Sequence, residues 1–142
     1  MKRSLAAGAS AFVVSQVLAI AIHGFILQPD YAPYYGSLLR PMDGEVWQAL
    51  FLPVTHLLFI TALVLINSRI VLAGDSVVRG LKLGALGWLI GAAPQWLLWY
   101  AEQPWPGSLV VKQLALELVA ALVVGVVVSI VSRRATVRPV PA

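Results

Sequence analysis

Residues Leu109–Val131 read LVVKQLALELVAALVVGVVVSIV, and this stretch decides the fold. Apart from Lys112, Gln113, Glu117 and Ser129, every residue in it is apolar or glycine. A hydrocarbon core about 30 Å thick is crossed by about 20 helical residues. Three further runs match that length: Leu5–Leu27, Val46–Ile66 and Leu81–Tyr100. Barrel strands alternate apolar and polar residues over about 10 positions. Runs such as Leu57-Leu58-Phe59-Ile60 and Val119-Ala120-Ala121-Leu122-Val123-Val124 do not alternate. An open sheet leaves backbone groups unpaired in lipid, so helices are the remaining spanning element. The expectation is one all-α domain, an integral membrane four-helix bundle, with a disordered tail over 135–142.

Composition agrees. Hydrophobic residues make up 60% of the chain and charged residues 11%, against about a quarter charged in soluble domains. There is no cysteine, which excludes disulfides, thiol redox chemistry and cysteine-ligated zinc or iron–sulfur centres. The net charge of +4 is explained by topology, not by nucleic acid. If all four runs span, Lys2, Arg3, Arg69, Arg79, Lys82, Arg133, Arg134 and Arg138 fall on one side, and Arg40 and Lys112 on the other. Basic residues near span ends favour the cytoplasm, so both termini are expected there, with the chain in a bacterial inner membrane. Trp47, Trp96, Trp99, Tyr100 and Trp105 then lie near the outer interface, where amphipathic rings are favoured. The basic start and Ala19-Ile20-Ala21 also have the outline of a cleaved signal, an alternative to retention of helix 1. Helix 2 ends near Ile66 or runs on to Ala73, with Gly74 as its stop. Asp75 or Ser76 then caps helix 3, and Asp43 is a candidate cap for helix 2.

Helices in lipid associate through small residues that let backbones approach. Gly80, Gly84, Gly87, Gly91 and Gln95 fall on one stripe of helix 3, and Gln113, Glu117, Ala121, Gly125 and Ser129 are spaced by four on helix 4. Close helix packing explains both stripes. The sequence leaves open whether the partner lies in this chain or in another protomer of a homo-oligomer or larger membrane complex.

Polar groups within a span are costly and face the protein interior. The candidates are Gln16 and His23 on helix 1, His56 on helix 2, Gln95 on helix 3, and Gln113 and Glu117 on helix 4, with Lys112 snorkelling outward. At 1.5 Å rise, His23, His56, Gln95 and Glu117 lie roughly 6, 15, 8 and 12 Å below the outer ends of their helices. All are in the outer half. His23, His56, Gln95, Gln113 and Glu117 are therefore expected to line an outward-facing intramembrane pocket. Pro53 and Pro94 free backbone carbonyls near the same level.

Several chemistries use such residues. Two histidines on neighbouring helices ligate a b-type haem, but the depths set His23 and His56 about 9 Å apart in level. A metal held by His23, His56 and Glu117 is the related alternative. No HExxH motif, phosphate loop or dinucleotide fingerprint is present, and no catalytic residue is assigned. Glu117, neutral or ionised, is the group for proton-coupled transport of a small substrate. A non-enzymatic accessory or assembly role suits the sparse chemistry better.

Certain residues also carry a likeness: His23-Gly24-Phe25 with Tyr31 following, Arg40-Pro41, Gly80-Leu81-Lys82-Leu83-Gly84, and the run from Tyr100 through Gln113. In these the chain resembles a group of small bacterial four-helix inner-membrane proteins with no assigned activity. The resemblance implies that helix 1 is retained and that the outer loops matter. It implies no reaction.

Overall fold

The computed structural model describes residues 2–39, 46–70 and 72–132, the side chains of 46–49 excepted. The proposed Asp43 cap, the position of the Trp47 ring and the 135–142 tail lie outside the described residues. The described residues are mainly helical: α1 (Lys2–Ala19), continued by a π-helical segment (Ile20–Ile26), then α2 (Gln28–Tyr31) with a 3-10 turn (Ala32–Tyr34), α3 (Val46–Arg69), α4 (Ser76–Ile90), α5 (Ala92–Glu102) and α6 (Gly107–Val131). Four stretches are long and apolar enough to cross a membrane: Lys2–Ile26, Leu50–Arg69, Ser76–Glu102 and Gly107–Val131. These make the chain a multi-pass membrane protein.

Three boundaries differ from the sequence reading. The first helix does not stay α to its end. Ile20–Ile26 is wound in π turns, and the amide of Leu27 bonds the carbonyl of Ile22. The third span is two helices, because Pro94 has no N–H to return to the carbonyl of Ile90. The break falls at Gly91, whose φ of −113° and ψ of −88° lie outside the helical region. The α3 helix ends at Arg69 and not at Ala73. Gly74 then turns the chain at a φ of +121°, and the Asp75 carboxylate caps α4 by accepting from the amides of Val77 and Val78.

Packing centres on α6, which contacts α1, α3, α4 and α5, while α1 also packs on α3. The glycine stripes meet within the chain. A Cβ on Gly84 would stand 2.7 Å from the Cα of Leu122, and one on Gly125 2.8 Å from the Cα of Gly84. Gly80 lies against the backbone of Gly125 and Val126. The α4 and α6 backbones therefore touch where those residues cross, antiparallel. The stripe then divides: Gly87 and Gly91 face the Phe59 ring of α3, and Gly87 also meets Leu63. Glycine weakens a helix, and backbone contact of this kind offsets the cost.

Two apolar clusters result. Ala11, Ile60, Leu63, Leu83, Val124 and Val128 form one, in the half of the protein nearer the basic residues Lys2, Arg3, Arg69, Arg79 and Lys82. Ile22, Leu27, Tyr31, Trp96, Trp105, Leu109 and Val110 form the other, at the aromatic end.

Candidate functional site

The aromatic end is built by folding the chain back after α1. Pro29 stands in the first turn of α2, where its fixed φ suits a helix start and its missing N–H costs nothing. This short helix returns Tyr31 over the π segment, where only 7% of it is exposed. Asp30, its neighbour, ties α2 to α6 through two contacts of 2.8 Å from Lys112 Nζ. Trp105 donates its indole N–H to Gln103 Oε1 at 2.9 Å and packs edge-on against Trp96 and tilted against Tyr34. The rings form an apolar wall beside the polar groups.

Those polar groups make a continuous chain. His23 Nε2 lies 3.1 Å from Glu117 Oε1, and His23 Nδ1 lies 2.9 Å from the Tyr31 hydroxyl. The His23 and Tyr31 rings are nearly parallel, 9° apart. With Glu117 ionised the imidazole donates from Nε2. A neutral His23 then accepts the Tyr31 proton at Nδ1, and a charged one donates to the phenol oxygen instead. Burial raises the Tyr31 phenol above its ordinary value of 10, and the nearby Glu117 carboxylate pushes the same way. Tyr31 thus keeps its proton across the physiological range.

Below this chain, Gln16 Nε2 and His56 Nδ1 pair at 2.8 Å between α1 and α3. His56 is within electrostatic reach of both Glu117 and His23. Gln16 and His23 are seven residues apart, which on an unbroken α-helix changes direction by about 20° only. They nevertheless serve different partners, His56 on α3 and Glu117 on α6. The π segment between them alters the angle per residue and re-aims His23. Such π turns recur at functional sites.

The expected pocket is thus assembled in part. His23 and Glu117 bond directly, and His56 joins them through the field of the pair. Gln113, one turn from Glu117 on α6, is completely buried. Its carboxamide is near enough to Tyr31 to act on the phenol, yet neither Oε1 nor Nε2 has a hydrogen-bond partner. Gln95 is a correction: it is exposed on α5 and does not enter the cluster. The break at Gly91 rotates α5 away from the α4 stripe that Gln95 was expected to extend. Sequence reading missed two members. Tyr31 reads from the sequence as a residue of the first outer loop, and Gln16 is grouped with His23 on helix 1 but not placed in the pocket. The signal for Tyr31 was Gln28-Pro29-Asp30, a helix start close behind the first span.

The haem and metal alternatives do not fit these residues. Both ring nitrogens of His23 are engaged, and His56 sits with Gln16, lower on α1. Among the described residues no group of three histidine, aspartate or glutamate side chains is placed to hold a metal ion. Compared with family models, curated proteins and solved structures, the chain has no match.

Proposed function

We propose that this chain is a small non-enzymatic accessory or assembly protein of a bacterial inner membrane, working within a homo-oligomer or larger complex. It is read as a four-helix bundle with both termini cytoplasmic, because Lys2, Arg3, Arg69, Arg79 and Lys82 gather at the end opposite the aromatic rings. Its working part is a protonatable site open to the outer face: Tyr31, His23 and Glu117, with Gln16 and His56 beneath. One observation carries this reading. The chain from Tyr31 to Glu117 has only the separate Gln16–His56 pair beneath it, and the layer below that is the apolar cluster of Ala11, Ile60, Leu63, Leu83, Val124 and Val128. A site that takes up a proton or small polar group from one side, without a route through, suits a sensing or binding subunit better than a carrier.

Proton-coupled transport by Glu117 is the second reading, favoured by the 27% exposure of its side chain on the same relay. Reconstitution into vesicles holding a pH-sensitive dye separates the two. The accessory reading expects equal, background proton movement from wild type and Glu117→Gln under an imposed pH gradient. Flux in the wild type that Glu117→Gln abolishes would establish the carrier instead.

A further inference from the structure

Gln113 presents a problem of proton accounting. A buried carboxamide with both polar atoms unpaired costs about 1–3 kcal/mol for each group left unsatisfied. It is completely buried, one helical turn from Glu117 and beside Tyr31. The His23 ring explains what it is for. While His23 is neutral and donates from Nε2 to Glu117, Nδ1 accepts the Tyr31 hydroxyl proton; Gln113 can then offer the phenol oxygen only its amide N–H, and Oε1 is left without a donor. When one more proton arrives at Nδ1, that nitrogen becomes a donor. It then points at the same phenol oxygen, 2.9 Å away. The Tyr31 hydrogen must turn elsewhere, and Gln113 Oε1 is the buried acceptor without a partner.

We infer that Tyr31 is a two-position hydroxyl switch which reports proton uptake at His23 to Gln113, fastening α2 to α6 in the protonated state. The proton on Nδ1 comes from a hydronium ion in the outer-face water, whose O–H bond breaks as the N–H bond forms, and the Tyr31 O–H bond only rotates. The same reversal follows if the added proton rests on Glu117 and the imidazole changes tautomer, because Nδ1 again carries hydrogen. The groups facing His23 are Glu117 from α6, Tyr31 from α2 and His56 from α3, while Asp30 and Tyr35 act on Tyr31. Asp30 is already neutralised by Lys112, also on α6. That pair holds Tyr31 between its two acceptors in both states.

The inference rests on the protonatable site proposed above, and histidine-labelled full-length protein in nanodiscs tests the two separately by NMR titration. Gln113→Leu and Tyr31→Phe each reduce the proton affinity of His23 about tenfold, a shift of one pH unit. The double variant shifts no further than Tyr31→Phe alone, because the carboxamide acts only through the hydroxyl. The titration of His56 moves much less. In the unmodified sequence, infrared spectra with 13C-labelled glutamine show one side-chain carbonyl gaining a hydrogen bond as His23 protonates. A His23 midpoint indifferent to Gln113→Leu, additive shifts in the double variant, or an unchanged glutamine carbonyl would each overturn the switch while leaving the site intact. If His23 does not respond to Glu117→Gln, the protonatable site itself fails.

Discussion

The two halves of this protein solve the problem of helix association in lipid by opposite means. Toward the basic residues, α4 and α6 touch backbone to backbone at Gly80, Gly84 and Gly125, beside a mainly apolar cluster and a side-chain hydrogen bond between the two helices, from Arg79 Nε to the buried Ser129 hydroxyl. Toward the aromatic rings, α1, α2, α3 and α6 are joined by side-chain hydrogen bonds: Tyr31 to His23 to Glu117, and Gln16 to His56. Close packing has one geometry and leaves nothing to titrate. A hydrogen-bonded layer has alternative proton arrangements and responds to pH. The difference places fixed backbone packing in one half and titratable hydrogen-bonded groups in the other.

The contrast breaks most sharply at Gly84. Alanine there puts a methyl group against the backbone of Ala121 and Leu122, which has no rotamer to yield. Unfolding in detergent is expected to show a loss of about 1–3 kcal/mol, as for other overpacked sites. Gly8→Ala is the control, since its added methyl would stand 4.0 Å from Val64, and it should leave stability within about 0.5 kcal/mol. In the polar half, Glu117→Leu removes the acceptor of His23 Nε2 and should cost about 1–3 kcal/mol. Glu117→Gln keeps an acceptor and should recover most of that loss in the same assay. The pair thereby separates the hydrogen bond from the charge.

Alkaline pH acts on the polar half through Tyr31. Tyr31 holds its proton more tightly when folded than when unfolded, so the folded state binds more protons above the unfolded value of about 10. That stability is whole below pH 10 and falls as pH rises beyond it. Tyr31→Phe should flatten this decline in an unfolding series run from pH 9 to 12. The smallest effect belongs to the rim. The Lys112–Asp30 pair is half exposed on the lysine side, so Lys112→Ala should cost less than about 1 kcal/mol and lose even that in high salt.

The glycine packing was legible because it is a matter of spacing on helices that stay α over the contact. Gly84, Ala121 and Gly125 meet as their stripes require. His23, Glu117 and the burial of Gln113 were legible as well, since a polar group that lipid cannot solvate is driven inward wherever protein is present. Gln95 was not, because Gly91 ends one helix and starts another, and spacing cannot be carried across such a break. Nor was the pairing of Gln16 with His56, since the face toward which a residue turns depends on every angle before it.

The sequence by itself therefore determined four apolar crossings and the stock of costly side chains inside them. Both follow from the transfer energy of each residue taken singly. Only the tertiary structure decided that a π segment aims His23 at Glu117, that α2 folds Tyr31 back over it, and that Gln113 is buried beside them. Those outcomes depend on accumulated backbone rotation and on contacts between segments distant in the chain, which no count of residues or period records.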